Sequence, residues 1–350
     1  MWSGILRTSS GSSRGVTTWG IIGIAFATSN VTAQEKKVIR IGMIGLDTSH
    51  VPAFTKLFND PKAEGELAGF RVVAAFKGGS PDVKLSYSRI EGFTKQIKEG
   101  YGVEIVDSIE ELLKKVDVVL IESVDARTHL AQAAQVLKAG KKVFVDKPLG
   151  GSLADVLAMF ALSKEHKTPI FSSSSLRYAT NLRAAKADPK LGKVVGAICY
   201  GPCEIETYVP DLFWYGVHGV ESLYTIMGTG CKSVSRTHTK TTDTAVGVWE
   251  DGRIGEYRGL RSGTKGFGNV LFGEKATLTT SGADGGYKPL VVEIAKFFRT
   301  GESPISEAET TEIFAFMEAA DESKRQGGAP VTIESVMKRA VELNKTRKLP

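Results

Sequence analysis

The sequence has few cysteines, no block of like charge and no long apolar run. Its 350 residues include only three cysteines, Cys199, Cys203 and Cys231, too few for a disulfide framework. Cys199 and Cys203 flank a predicted turn and leave two alternatives open, a disulfide in an exported protein or buried free thiols. No group of His, Cys and carboxylate residues has the spacing typical of a zinc site, so no metal site is predicted.

Basic residues are in slight excess, but they are scattered among acidic ones. The formal net charge is +6 and the sequence pI is about 9.0, without a Lys/Arg stretch that carries interleaved aromatic residues. We therefore expect no nucleic-acid partner. Hydrophobic residues make up 42% and charged residues 24% of the chain, as in a soluble globular protein, and the length suggests two domains.

The first 33 residues are interpreted as a signal peptide. Arg7 and Arg14 accompany a mildly apolar stretch at 15–28, and Val31-Thr32-Ala33 offers a small-residue cleavage site. The apolar stretch is shorter than the ~20 residues of a membrane-spanning helix. We expect an exported protein, periplasmic or secreted and without membrane association, if this leader is cleaved. The alternative is a disordered extension on a cytoplasmic protein.

Apolar strands and helices alternate in the first half of the chain. Strands are predicted at 38–45, 70–76, 116–123 and 143–145, where apolar runs resemble the buried strands of a parallel sheet. From about residue 173 several strands follow one another, which indicates a largely antiparallel sheet. The sequence therefore predicts an α/β Rossmann-like nucleotide-binding domain at 38–172. An α+β domain for substrate binding and oligomerisation is expected at 173–350.

Residues 129–148 read HLAQAAQVLKAGKKVFVDKP. A histidine, a helix that ends in Ala-Gly, a short strand and an acidic residue followed by Lys-Pro together resemble the signature of the Gfo/Idh/MocA family of oxidoreductases. Asp146 stands where the family has Glu. The resemblance implies that Lys147 lies beside the substrate hydroxyl and the nicotinamide of NAD or NADP, with Asp146 at the cofactor site. It extends over about 38–331 and makes a homo-oligomer an expectation.

A second stretch, DLFWYGVHGVE at 211–221, resembles the family pattern Asp-x-Gly-x-His-x-x-Asp on a helix facing the lysine. His218 and Glu221 match the pattern, and Trp214 replaces its first Asp. Since an imidazole has a pKa near 6.5, His218 is able to take the hydroxyl proton while Lys147 stabilises the developing alkoxide. The alternative is a structural helix histidine.

Other candidate residues are expected to contact the substrate. Trp214 and Tyr215 suit stacking on the apolar face of a sugar ring, although core packing is equally common for such residues. Arg177 and Tyr178 resemble a family position at the mouth of the active site, with a loop arginine paired to surface acids as the alternative. The expected partner is thus a small sugar-like molecule.

The glycine-rich turn after the first strand keeps only one glycine. Gly45 occupies the first position of the G-x-G-x-x-G fingerprint, whereas Asp47 and His50 occupy the second and third. A carboxylate at the second position adds bulk and repels a pyrophosphate. Either Asp47, Thr48 and Ser49 cap the following helix, or Thr48 and Ser49 bind the cofactor in a displaced pose.

Two further positions belong to the predicted cofactor site. Lys77 follows the second strand where an NAD enzyme has an acidic residue, and it suits the extra phosphate of NADP or is a solvated loop lysine. Ser123 follows the strand at 116–123, at the edge of the sheet where ligands bind.

Three functions are consistent with these patterns. The first is an NAD(P)-dependent oxidoreductase of a sugar or cyclitol hydroxyl. The second is a non-redox carbohydrate-binding or regulatory module on the same scaffold, favoured by the altered glycine turn and by Trp214. The third is a lyase or hydrolase that uses a tightly bound nicotinamide cofactor transiently.

Overall fold

Six short strands build a parallel sheet in the first half of the chain, and their buried apolar residues explain why they pair. β4 and β5, for example, are buried at every position, as expected for strands covered on both faces. The computed structural model describes residues 11, 13, 15 and 38–350. The predicted signal peptide at 1–33 lies outside the described residues apart from Gly11, Ser13 and Gly15.

The first sheet has the strand order β3-β2-β1-β4-β5-β6, with every described pair parallel. Its strands are β1 (Ile39–Ile44), β2 (Phe70–Phe76), β3 (Glu104–Val106), β4 (Val118–Ile121), β5 (Val143–Val145) and β6 (Ile170–Phe171). The helices between and after them are α1 (His50–Phe58), α2 (Lys84–Tyr87), α3 (Ile90–Tyr101), α4 (Ile109–Lys115), α5 (His129–Lys138) and α6 (Leu153–Glu165).

A second sheet of seven strands follows, in the order β12-β11-β7-β10-β9-β8-β13. Its strands are β7 (Val194–Pro202), β8 (Cys231–His238), β9 (Thr242–Trp249), β10 (Ile254–Leu260), β11 (Gly268–Gly273), β12 (Thr277–Ser281) and β13 (Val331–Thr332). All pairs are antiparallel except β7 with β10. The predicted fold class, a Rossmann-like domain followed by an α+β domain, is confirmed. The predicted division at 172 and 173 falls between β6 and β7.

Helices of the second half cover both sheets. They are α7 (Thr180–Ala187), α8 (Asp211–Trp214), α9 (Gly216–Met227), α10 (Lys288–Thr300), α11 (Glu307–Arg325) and α12 (Ile333–Thr346). α10 returns to the first sheet, where Phe297 and Phe298 pack against Phe171 and Phe70. Of the helices in the described ranges, none is both long enough and apolar enough to cross a membrane.

Helix α9 is buried along its whole length between the second sheet and the surrounding helices. Gly219 allows this close packing, because a Cβ there would lie 2.2 Å from the Tyr257 ring. The helix begins beside Trp214 and Tyr215 and holds His218 rigidly in the interior.

The turn after β5 is tied to the loop after β4 by His129, the histidine of the signature stretch. Its Nε2 lies 2.7 Å from the carbonyl oxygen of Ser123, and its Nδ1 lies 3.0 Å from that of Pro148. The signature histidine therefore holds the turn that presents Lys147.

The three cysteines are buried free thiols.

Candidate active site

A pocket of about 330 Å³ lies at the carboxyl edge of the first sheet, facing α8 and α9. Parallel strands place their carboxyl ends at one edge, which is where ligands bind in open α/β sheets. The lining residues that matter for the chemistry are His50, Asp146, Lys147, Trp214, Tyr215 and His218. The structure thus brings Lys147 and His218 to one pocket although they lie in different halves of the chain.

Lys147 follows β5 directly, and its side chain reaches the aromatic wall of the pocket. Its Nζ lies 5.4 Å from the centre of the Tyr215 ring, within the range of a cation–π contact. Burial lowers the pKa of the Lys147 ammonium, while the neighbouring Asp146 carboxylate opposes that shift. The Lys147 amine is therefore buried beside the space for a ligand, next to the Asp146 carboxylate that favours its charged form.

His218 stands on α9 across the pocket and is 9% exposed. Its Nδ1 lies 2.7 Å from Ser174 Oγ, and its ring has edge-on contacts with Tyr215 and Phe267. Burial, followed by the charge of Lys147, lowers the pKa of the imidazole well below its usual value. The imidazole of His218 is therefore neutral near pH 7, and its hydrogen bond with Ser174 fixes the orientation of the ring.

His50 and Asp146 form a buried pair on the first-sheet side of the pocket. His50 Nδ1 lies 2.7 Å from Asp146 Oδ2, and the imidazole stacks on Phe54 at 5.1 Å between ring centres. Although burial by itself would raise the pKa of Asp146, the charge and hydrogen bond of His50 lower it to about 2. The predicted cofactor residue Asp146 thus bonds to the histidine at the third fingerprint position.

Glu122 follows β4 and lies behind this pair. Its Oε2 is 3.8 Å from His50 Nδ1, and its side chain is fully buried. Burial, reinforced by the charge of Asp146, raises the pKa of Glu122 well above its usual value. Sequence reasoning missed the grouping of His50, Glu122 and Asp146. The available signal was the position of Glu122 and Asp146 after two neighbouring strands.

The structure of the turn after β1 contradicts the prediction that its polar side chains cap α1. Ser49 stands at the N-cap of α1 with a helical backbone (φ −65°, ψ −13°), and its side chain makes no capping hydrogen bond. A capping residue ordinarily has an extended backbone that turns its oxygen towards the helix. Asp47 does not cap either, because its carboxylate accepts hydrogen bonds from Ser86 Oγ at 2.5 Å and from Val124 N at 2.8 Å.

Asp47 therefore links the loop after β1 to helix α2, which follows β2, and to the loop after β4. The loops after β1, β2 and β4 are also joined at two other points, by a hydrogen bond from Leu46 N to Lys77 O at 2.9 Å and by one from Ser80 Oγ to Asp125 at 2.7 Å. Gly45 (φ +81°) allows the close approach, because a Cβ there would lie 2.2 Å from Ser123 Oγ.

Several predicted site residues do not reach the pocket. Lys77 forms an ion pair with Glu91, and Ser123 Oγ is bonded to the buried amide of Gln132. These contacts use the groups that were predicted to bind the cofactor. Thr48 and Ser49 do line the pocket.

Arg177 and Tyr178 also lie away from the pocket. The Arg177 guanidinium donates to Glu221 at 2.8 Å and to Glu309 at 2.6 Å, and Tyr178 packs in the core between α10 and the first sheet. The predicted contact of Arg177 with substrate is corrected, because two carboxylates hold its side chain. The acid that matches the family pattern, Glu221, is the partner of Arg177.

Comparison with known proteins supports the resemblance seen in the sequence. Residues 39–173 match the family described as "Oxidoreductase family, NAD-binding Rossmann fold" (GFO_IDH_MocA). The protein named "Putative oxidoreductase YceM" of Salmonella typhimurium is 33% identical over 91 residues, which are 26% of this chain and 29% of that protein's length. The match therefore spans less than a third of that relative.

Two solved structures share the fold over most of both chains. Scyllo-inositol dehydrogenase of Lactobacillus casei, with bound NAD(H) and scyllo-inositol, has a TM-score of 0.69 at 15% identity and covers 85% of this chain and 100% of its own. Myo-inositol 2-dehydrogenase of Lactobacillus plantarum has a TM-score of 0.69 at 16% identity and covers 85% and 99%. Residues 39–173 thus match the Gfo/Idh/MocA oxidoreductase family with its NAD-binding Rossmann fold, and the two solved structures show that most of the chain shares the two-domain fold.

Proposed function

We propose that this chain acts on a hydroxyl-bearing carbon of a sugar or cyclitol. The observation that carries the proposal is the convergence of Lys147 and His218 on one pocket, beside the rings of Trp214 and Tyr215. Its volume of about 330 Å³ is at the small end of the ~300–1,000 Å³ typical of ligand pockets and suits a single ring. The inositol dehydrogenases that share the fold favour a cyclic polyol.

The two polar side chains have complementary roles in this proposal. The neutral His218 accepts a proton from a substrate hydroxyl at Nε2 when its Nδ1–H donates to Ser174 Oγ. The Lys147 ammonium stabilises the negative charge that develops on the substrate oxygen, and it does so strongly because the pocket is partly desolvated. Trp214 and Tyr215 offer flat apolar surfaces to the ring of the substrate.

The family implies a nicotinamide dinucleotide, and only its nicotinamide end fits the crevice at the carboxyl edge of the first sheet. Space is open beside Lys147, where the family signature expects the nicotinamide. At the turn after β1, the bridges made by Leu46, Asp47 and Ser80 occupy the path of the pyrophosphate and adenosine. A pyrophosphate needs free N–H groups and little negative charge at this turn. The closed crevice therefore does not fit an extended dinucleotide.

The family implies a dinucleotide, but the bridged turn after β1 does not fit one. This conflict leaves two forms of the proposal. An NAD(P)-dependent oxidoreductase is supported by the family and requires the Asp47 bridge to open. A non-redox carbohydrate-binding or regulatory protein on the same scaffold is favoured by the bridge itself, because Asp47 is only 1% exposed and is bonded on two sides.

We expect at least one polyol from a panel of monosaccharides and inositols to raise the Tm of the wild-type protein. Trp214→Leu removes the stacking surface and is expected to weaken binding by up to about tenfold, in line with ~0.5–1.5 kcal/mol for a specific aromatic contact. The control is Tyr87→Leu, since this ring is 55% exposed and outside the pocket. Absence of any polyol-dependent shift, or equal shifts in all three proteins, contradicts the proposed substrate class.

Asp47→Gly is expected to raise the affinity for NAD or NADP by about tenfold or more. The substitution removes the bridge and the carboxylate, and a tenfold gain corresponds to ~1.4 kcal/mol. Asp47→Asn is the matched control, since its amide is able to keep the bonds to Ser86 and Val124 without the charge. Isothermal titration calorimetry measures both Kd values.

Each result separates the two forms of the proposal. A gain in Asp47→Gly but not in Asp47→Asn identifies the bridge as the obstacle. Wild-type binding as tight as that of Asp47→Gly shows that the crevice opens unaided and supports the oxidoreductase form.

A further inference from the structure

Glu122 is a buried carboxylate that the proposed reaction does not use. It follows β4 at the carboxyl edge of the first sheet, and its side chain is 0% exposed. Within the part of the chain that the structure describes, neither of its two carboxylate oxygens has a hydrogen-bond partner. A buried carboxylate is ordinarily paired, hydrogen-bonded or bound to a metal. In the described chain both Glu122 oxygens are therefore left without a hydrogen bond, and His50 Nδ1 lies 3.8 Å from one of them.

The side chains of His50 and Asp146 each place a further metal-ligating atom close to the Glu122 carboxylate. His50 Nδ1 lies 2.7 Å from Asp146 Oδ2 and 3.8 Å from Glu122 Oε2, and the three side chains offer ligand atoms within 4.8 Å of one another. Metal–ligand bonds of ~2.0–2.1 Å in a tetrahedral site place ligand atoms about 3.4 Å apart. The two observed distances lie on either side of this value, so small side-chain rotations complete the geometry.

The surrounding charges favour a cation. Asp47, Glu122 and Asp146 place three carboxylates near one another, and Lys147 is the cation close enough to influence Glu122. Among the described residues, Lys147 makes no ion pair with Glu122 or Asp146, and its Nζ instead lies near the Tyr215 ring. Arg89 lies near Asp47 and Lys147. The two carboxylates that face His50 are those of Glu122 and Asp146, and one divalent cation would neutralise both.

We propose that His50, Glu122 and Asp146 form a binding site for a divalent transition metal, Mn²⁺ or Zn²⁺. One imidazole with two carboxylates is a donor set that suits these ions. His50 and Asp146 also line the pocket, so the remaining coordination positions of the metal face the space for substrate. Hydroxyl groups of a polyol are able to occupy those positions.

The test uses the full chain without substrate, so its outcome is independent of the proposed function. The protein is stripped of metal with a chelator, dialysed, and titrated separately with MnCl₂ and ZnCl₂ by calorimetry. We expect one ion per chain and a rise in Tm on binding. Glu122→Gln keeps the shape of the side chain and is expected to lower metal affinity by about 100-fold or more, since it replaces a direct ligand.

Glu221→Gln is the matched control, because Glu221 is also a buried carboxylate, and it pairs with Arg177 outside the cluster. Its metal affinity is expected to equal that of the wild type. Metal-free Glu122→Gln is expected to have a higher Tm than the metal-free wild type, which also shows that the variant folds.

Two results would overturn the proposal. The first is the absence of stoichiometric binding of either ion, which would mean that a proton or a buried water satisfies Glu122. The second is metal affinity that Glu122→Gln leaves unchanged, which would place the ion elsewhere.

Discussion

His218→Ala and Lys147→Ala are each expected to lower kcat on the polyol substrate by roughly 10²- to 10⁴-fold, the usual contribution of a positioned acid–base or charged group. In the proposed reaction the imidazole takes the hydroxyl proton, because burial lowers its pKa, and the amine of Lys147 faces the same pocket beside the developing negative charge. Steady-state kinetics on the polyol identified by the Tm screen measures the loss.

The controls are substitutions of the same residue types outside the pocket. Lys84→Ala removes an exposed lysine, and His166→Ala removes a half-buried histidine; both are expected to leave kcat unchanged. A His218 or Lys147 variant that retains activity within a few-fold of the wild type would exclude that residue from the reaction. A rise in KM without a fall in kcat would indicate binding rather than chemistry.

Arg236→Leu is expected to lower the free energy of unfolding by about 3–5 kcal/mol, the cost of breaking a buried ion pair by removing one partner. The Arg236 side chain is fully buried and donates to Asp243 at 2.9 Å, to Asp211 at 3.0 Å and to Asp321. Its loss leaves Asp321 buried without its cation. Urea unfolding with linear extrapolation measures the change.

This network also positions the candidate active site. Asp211 begins α8, the short helix that ends with Trp214 in the pocket wall, and it bonds to both Arg236 and Lys324. Lys114→Ala, which breaks the exposed Lys114–Glu110 pair, is the control and is expected to change stability little. A loss below about 1 kcal/mol for Arg236→Leu would show that the network contributes specificity more than stability.

Most of the architecture could be predicted because strand and helix patterns are local. The apolar runs that became β1, β2, β4 and β5 are detectable without any distant contact. The α+β character of the second half was also predicted correctly. The packing of α10 against the first sheet was not predicted. The amphipathic pattern of a helix shows that one face is buried, but it does not show which element covers that face.

The residues of the two family-like stretches were predicted to lie at the active site, and most of them do. The predictions for the glycine turn after β1 were less successful. Lys147, Trp214, Tyr215 and His218 all line the pocket, since each lies in a stretch that resembles the family pattern. Arg177 does not, because Glu221 and Glu309 hold its guanidinium, and those carboxylates lie 44 and 132 residues away along the chain. No local pattern reveals a pairing of that range.

The sequence by itself determined the order of the two sheets along the chain, the resemblance to the oxidoreductase family, and the two residues, Lys147 and His218, that are expected to act on the substrate hydroxyl. Tertiary structure alone decided that Asp47 links the loop after β1 to α2 and to the loop after β4, that Ser174 orients His218, and that His50, Glu122 and Asp146 meet in the interior. The physical reason is the sheet order, in which β1, β4 and β5 lie side by side. That order places His50, Glu122 and Asp146, which lie far apart in the sequence, at one edge of the sheet. There they are buried together, so that His50 lowers the pKa of Asp146 and Asp146 raises the pKa of Glu122.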